Sequence, residues 1–159
     1  MIDLDIVRGP GDWARVAGLE ALAGRAVEAA FAVAPEAPHG PVELSLLLSD
    51  DAGVQELNRA WRGLDKPTNV LSFPGSGAPN PDGVHHLGDI ALAFETVARE
   101  AEAEGKSLTD HLTHLIVHGV LHLLGRDHET DSEADAMEAL ETAALAGLGI
   151  ADPYRDMAA

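Results

Sequence analysis

The chain reads as a single α+β domain spanning residues 1–159, with a small mixed sheet of about four strands packed with about five to six helices. Three observations predict this. Short segments of strand character recur at residues 2–8, 42–48, 69–73 and 84–93. Segments of helical period lie between and after them, in the order β-α-β-α-β-β-α-α-α, which is not the regular alternation of a parallel α/β fold. And 159 residues, without internal repeats, suit one domain with a sizeable core.

Each element has a local reason. IDLDIVR (2–8) alternates apolar and polar side chains and is broken by Gly9-Pro10-Gly11. Asp12 is placed to cap a helix over 13–33, whose Val16, Leu19, Leu22, Ala23, Val27, Ala30 and Phe31 recur with helical period. The loop Pro35 to Pro41 contains His39, and VELSLLL (42–48) is a second, more buried strand. Ser49 and Asp50 cap a helix over 51–61, and Val54, Leu57 and Trp61 at helical spacing predict its core face. Gly63 and Pro67 make a bend before the strand 69–73. Residues 74–83, PGSGAPNPDG, predict an exposed loop. The strand 84–93 carries a candidate bulge at Gly88, with His85 and His86 read as surface residues. Glu95 to Glu104 is an acidic helix ended by Gly105, and Ser107 caps the next. Thr130 to Glu133 is a capping box opening a helix over 131–146, with Ala134, Met137, Leu140, Ala144 and Leu145 toward the core.

Composition excludes several classes. No apolar run approaches the roughly eighteen residues of a membrane span. The opening MIDLDIVRG lacks the basic-then-apolar pattern of a signal peptide, so a cytoplasmic protein is expected. There is no cysteine, so a metal must be held by histidine and carboxylate. The net charge of −17 on its own argues against a nucleic-acid binder, which usually shows a basic footprint. The distribution is uneven: eight acids and one base follow His128, whereas Arg59, Arg62 and Lys66 supply three of the ten cations within eight residues.

The chemistry concentrates in HLTHLIVHGVLHLLGRDH (111–128), which holds five of the eight histidines. His111, His114, His118 and His122 are spaced three, four and four apart and share one helix face. His118 and His122 form the H-x-x-x-H pair that grips one metal with two imidazoles. Gly125 is placed to end the helix, because glycine adopts the left-handed cap conformation cheaply, and the chain can then return His128 as third ligand. Three histidines leave one position of a tetrahedral zinc open, the arrangement of a catalytic site holding one Zn2+ per chain. The offsets match the zincin-like signature H-E-x-x-H-x-x-G-x-x-H, except that Gly119 stands where those peptidases carry their general base. His114 reads either as a residue supporting the ligands or as a satisfied core position, and His111 as the wet end of the helix. Asp127 either orients a ligand imidazole or caps the turn. Arg62 is the first choice to hold charge developing on a phosphodiester, with Lys66 and Arg126 as further substrate-binding candidates.

Two blocks carry a resemblance: LNRAWRGLDKPTNVLSFP (57–74) and HGVLHLLGRDH (118–128), with LGDI (87–90) between them. Together they closely resemble the YbeY family of bacterial metal-dependent endoribonucleases, over residues 40 to 148. The resemblance implies a single-strand-specific RNA hydrolase acting in maturation of the 3′ end of small-subunit (16S) ribosomal RNA and in ribosome quality control. It implies His118, His122 and His128 as zinc ligands and Arg62 as a functional arginine. Family members usually carry Tyr at the position of Arg126. The expected partners are single-stranded or ribosomal RNA, a small-subunit ribosomal protein and a ribosome-assembly GTPase, with no membrane and no DNA. The alternatives are a metal-dependent hydrolase of another phosphodiester or an amide, and a non-catalytic ribosome-assembly factor with structural zinc. A peptidase is disfavoured by Gly119.

Overall fold

The computed structural model describes residues 2–75, 79, 81–126 and 129–154. Nine elements follow in the expected order: β1 (Ile2–Arg8), α1 (Leu19–Val33), β2 (Val42–Ser49), α2 (Asp51–Arg62), β3 (Val70–Pro74), β4 (His85–Ala93), α3 (Phe94–Ala103), α4 (Leu108–Leu123) and α5 (Asp131–Gly147). The strands form one sheet ordered β1-β2-β4-β3. β1 and β4 run parallel to β2, and β3 is antiparallel to β4. The predicted bulge is present. Pairing slips by one residue between Glu43 and Leu44, opposite Leu87, because Leu44 aligns with Gly88.

The sheet has two unequal faces. Leu44, Leu46, Leu48, Ile90 and Leu92 point into the main core with α1, α4 and α5. Leu71, Ala91 and Ala93, at the alternate positions, point to the other face, where Val54 of α2 covers them. β2 is apolar along its inner half because both its faces are covered there. No helix among the described residues is long and apolar enough to cross a membrane.

The caps follow the sequence. Asp50 accepts from Gly53 N at 2.8 Å, Ser107 from Asp110 N at 3.0 Å and Thr130 from Glu133 N at 3.1 Å. Two expectations are corrected. The helix predicted over 13–33 is split: Trp13–Arg15 is a 3-10 turn, Val16 is extended, Gly18 takes φ 63°, and α1 starts at Leu19. Asp12 makes no side-chain cap. Trp13 explains the split, since its indole N–H is drawn between the carbonyls of Pro10 and Ser49, each at 3.2 Å. The second correction is Trp61, which is not a core residue but 74% exposed. Of the predicted loop 74–83, residues 76–78 and 80 lie outside the described residues.

Candidate metal centre

α4 is the buried axis of the molecule. Leu112, Ile116, Val117, Val120 and Leu121 are fully buried, which fixes the rotation of the helix about its axis. That rotation sets the histidine stripe along the opposite side. His118 and His122 lie one turn apart and are partly exposed near the C-terminal end. The helix stops after Leu123, and Gly125 takes φ 101°, a conformation that favours glycine. Arg126 N then bonds back to Leu121 O at 3.0 Å. The turn that leads to His128 is therefore present as the sequence predicts. His128 itself and Asp127 lie outside the described residues. Among the described residues no group of three His, Asp or Glu side chains is arranged to hold a metal ion.

The residue sequence reasoning missed is Glu141. It lies on α5 with its side chain turned into the core, 1% exposed. Its Oε2 is 3.0 Å from His118 Nδ1, and its Oε1 is 2.5 Å from both His114 Nε2 and the Tyr154 hydroxyl. An ionised carboxylate only accepts, so both imidazoles and the phenol donate to it. Burial pushes the Glu141 carboxyl up, but bonds from His114 and His118, and then Tyr154, outweigh it and hold it down to about 2. Burial, and then the neighbouring Glu141, push the Tyr154 phenol well above its ordinary range, so it stays a donor. With Nδ1–H committed to Glu141, His118 carries its ring lone pair on Nε2. A carboxylate behind a histidine is how ligating imidazoles are oriented in metal sites, and this donor set fits zinc. A signal existed in the sequence. Glu141 falls on the same face as Met137, Ala144 and Leu145, a charge at a core position that needs a buried partner.

The stripe continues away from the ligands. His111 is 4% exposed rather than wet, and its Nε2 donates to Glu100 Oε1 at 2.9 Å. Asn69 donates to the same oxygen at 3.0 Å. His114, at 9% exposure, bonds Glu141 through Nε2, while its buried Nδ1 has no hydrogen-bond partner among the described residues. A polar cavity of about 220 Å³ opens beside the stripe, lined by Glu100, Lys106, His111, His114, His118 and Tyr154 among others.

The cationic candidates are not brought together. Arg62 ends α2 and Lys66 follows it, both exposed. α2 packs on the sheet face away from α4, and edge strand β3 separates the two helices. Ser72 Oγ lies 3.3 Å from Gly119 O on the α4 side, whereas Phe73 meets Trp61 on the α2 side. Arg126, the third substrate-binding candidate, is paired elsewhere: its Nε and Nη2 bond Glu36 at 2.7 and 3.2 Å, tying the end of α4 to the loop after α1. His86 pairs with Glu43 at 3.1 Å at the margin of the sheet.

Gly119 also has a structural reason. A Cβ there would lie 3.2 Å from two carbons of Ile90 and 3.3 Å from Ser72 Oγ. The glycine that replaces the peptidase glutamate lets α4 lie directly against β4.

The family described as Endoribonuclease YbeY matches residues 15–149. A protein of that description from Rhodopseudomonas palustris (strain BisA53) is 56% identical over 147 residues, covering 91% of this chain and 85% of the relative. Another from Chelativorans sp. (strain BNC1) is 52% identical over 154 residues, covering 95% and 92%. The solution structure of TM1509 from Thermotoga maritima is similar with a TM-score of 0.57 at 24% identity, covering 93% of this chain and 91% of that one, which bears on the fold alone. With the match extending from the 3-10 turn to the end of α5, the chain belongs to the YbeY family of endoribonucleases.

Proposed function

We propose that this chain is a zinc-dependent, single-strand-specific endoribonuclease in which His118, His122 and His128 hold one metal ion. The observation that carries the reading is the bond from His118 Nδ1 to the buried Glu141, which orients an imidazole of the H-x-x-x-H pair as a ligand. Its biological substrate is the 3′ region of 16S ribosomal RNA, with a role in ribosome quality control. A small-subunit ribosomal protein and an assembly GTPase bring a chain of charge −17 to its polyanionic substrate. The proposed location is the cytoplasm.

When bound, zinc supplies a Lewis acid for the phosphodiester and a source of nucleophile at neutral pH. The residues of the chain do the rest. Glu141 and His114 hold His118 in its tautomer and orientation. Glu141 is not the general base: both its oxygens accept hydrogen bonds and it is 1% exposed. Asp127 is proposed to support a ligand imidazole. Arg62 and Lys66 hold the RNA backbone on the far side of β3, with Arg62 nearest in role to the charge-stabilising arginine of the family. Arg126 acts through Glu36 to position the turn after α4.

The test is metal content by elemental analysis of wild type and His122→Ala, each then assayed on a single-stranded RNA. One zinc per chain in wild type, none in the variant, and cleavage only with metal support the reading. Stoichiometric metal without cleavage of any single-stranded RNA moves it to another phosphodiester or amide substrate, or to an assembly factor with structural zinc. No metal in either sample sinks the site.

A further inference from the structure

Trp61 is the most exposed large hydrophobic residue among those described, at 74%, followed by Leu64 at 46% and Val7 at 45%. An isolated exposed aliphatic side chain needs no explanation, but an exposed tryptophan over an apolar groove does. Trp61 forms one wall of a groove of about 580 Å³ on the α2 face of the sheet, with Val7, Leu47, Leu57, Phe73 and Asp89 along it. Phe73 stands edge-on behind the indole, with ring centroids 6.4 Å apart and planes at 61°, which holds the tryptophan ring without covering it.

Two cations stand near it. Acids outnumber bases 27 to 10, and several cations find a carboxylate. Arg8, Arg59, Arg99, Lys106 and Arg126 all do. Among the described residues Arg62, which adjoins Trp61, and Lys66, five residues further on, are exposed and make no ion pair; Arg15 and Arg25, elsewhere in the fold, are the other cations without one. The dipole of α2 favours a cation in its last turn, but it gives no reason to expose an indole there. An aromatic plane flanked by unpaired cations is the combination that holds single-stranded nucleic acid: bases stack on the ring and phosphates meet the cations.

We infer that Trp61 is a stacking platform for an unpaired nucleobase of the RNA substrate, with Arg62 and Lys66 taking the adjoining phosphates. This rests on the reading of the chain as a ribonuclease. Because Trp61 and His118 lie on opposite faces of the sheet, the stacked base belongs to the strand away from the cleaved bond. The strand stacks on the α2 face, passes the edge at β3 and reaches His118 on the α4 face. Stacking is tolerant of base identity, so the platform selects single-stranded RNA without selecting sequence.

The chain carries two tryptophans, and Trp13 is 2% exposed. Quenching of indole emission by added RNA therefore reports on Trp61. The full chain is mixed with an oligoadenylate ten-mer, or with an abasic ribose-phosphate ten-mer of equal charge, and emission is read before turnover. The expected result is strong quenching by the base-bearing oligomer and little by the abasic one. Trp61→Ala should weaken binding by about tenfold, appearing in KM with kcat nearly unchanged, while Trp61→Phe keeps most of the affinity. Zinc content should not change in either variant. Equal quenching by the abasic oligomer, or unchanged KM in Trp61→Ala, overturns the platform and leaves the groove as a face for a protein partner. Cleavage without quenching removes the platform alone. Quenching without metal or cleavage removes the catalytic reading and leaves the platform.

Discussion

His118 Nδ1 on α4 and Glu141 Oε2 on α5 are 3.0 Å apart, and the carboxylate that joins them is 1% exposed. One buried charge thus ties the proposed ligand helix to the last helix of the fold. Removing it acts on two levels. Glu141→Ala leaves His114, His118 and Tyr154 without their acceptor, and breaking a buried charged network of this kind costs about 3 kcal/mol in the metal-free protein. It also frees the His118 ring, and loss of such an orienting carboxylate lowers metal affinity by about 10- to 100-fold. Urea unfolding with chelator present measures the first, and zinc competition against a chromophoric chelator the second. Unchanged zinc affinity in a folded Glu141→Ala would show that His118 is not a ligand oriented by this bond.

His118→Ala and Arg62→Glu should separate binding of metal from binding of RNA. His118 belongs to the proposed metal pair on α4, and Arg62 lies on the other side of β3. Both variants should lose RNA cleavage. Only the histidine variant should lose zinc, because Arg62 is exposed at the end of α2, on the sheet face away from His118 and His122. Retained cleavage in both removes the ribonuclease assignment.

Metal occupancy should fall as the pH drops below about 6, because an imidazole must be neutral to ligate. The measurement is zinc retained after equilibrium dialysis across a pH series. Full retention at pH 4.5 would mean that carboxylates hold the ion.

How far these residues could be read from the sequence depended on the range of the interaction that places them. The histidine helix, its Ser107 cap and its Gly125 exit are set within a few residues and stand where their spacing puts them. Glu141 was visible only as a charge on an apolar stripe, since its partner His114 is 27 residues away on another helix. His111 was misread because burial of a helix N-terminal turn depends on what packs there, and here α3 supplies Glu100. Trp61 was misread for the converse reason: its spacing matches the core face of α2, but at the last turn Phe73 meets it edge-on and leaves it 74% exposed. The break before α1 came from Trp13, whose hydrogen bond to Ser49 spans 36 residues.

Asp51 predicts a pH dependence of stability distinct from that of the metal. α3 has no side-chain cap of its own, and Asp51 of α2 fills that role by accepting from Thr96 N at 3.0 Å, from Thr96 Oγ1 at 2.8 Å and from Arg99 at 2.9 Å. Glu95 returns the bond to Asp51 N at 2.8 Å. Burial raises the Asp51 carboxyl, but Thr96 and Arg99 outweigh it, and the net direction is below the ordinary 3.8. A folded-state value below the unfolded one means stability that is fully present above the unfolded value and is lost as the pH falls through the folded one. Asp51→Asn should cost about 1 kcal/mol at pH 7. The gap between variant and wild type should narrow as the pH falls below the ordinary 3.8 and close below the folded value. A gap that persists undiminished in acid would assign the loss to packing rather than charge.

Gly119 gives the sharpest structural prediction, since it stands where the peptidase signature carries its general base. A Cβ at 119 meets Ile90, which is fully buried and β-branched and so has little room to yield. Gly119→Ala gains about 1 kcal/mol of helix propensity and loses about 1–3 kcal/mol to overpacking. The net expectation is a modest loss of stability, with α4 displaced from β4 and reduced zinc affinity as His118 shifts against Glu141. Gly119→Glu restores the peptidase signature, yet it must drive a longer, charged chain into the same contact. It should be destabilised by more than about 3 kcal/mol and show no peptidase activity. Thermal unfolding, zinc affinity and a casein assay on both variants check this. A stable Gly119→Glu that cleaves peptides would mean that the helix has room for the glutamate, and that close packing against Ile90 is not what keeps it out.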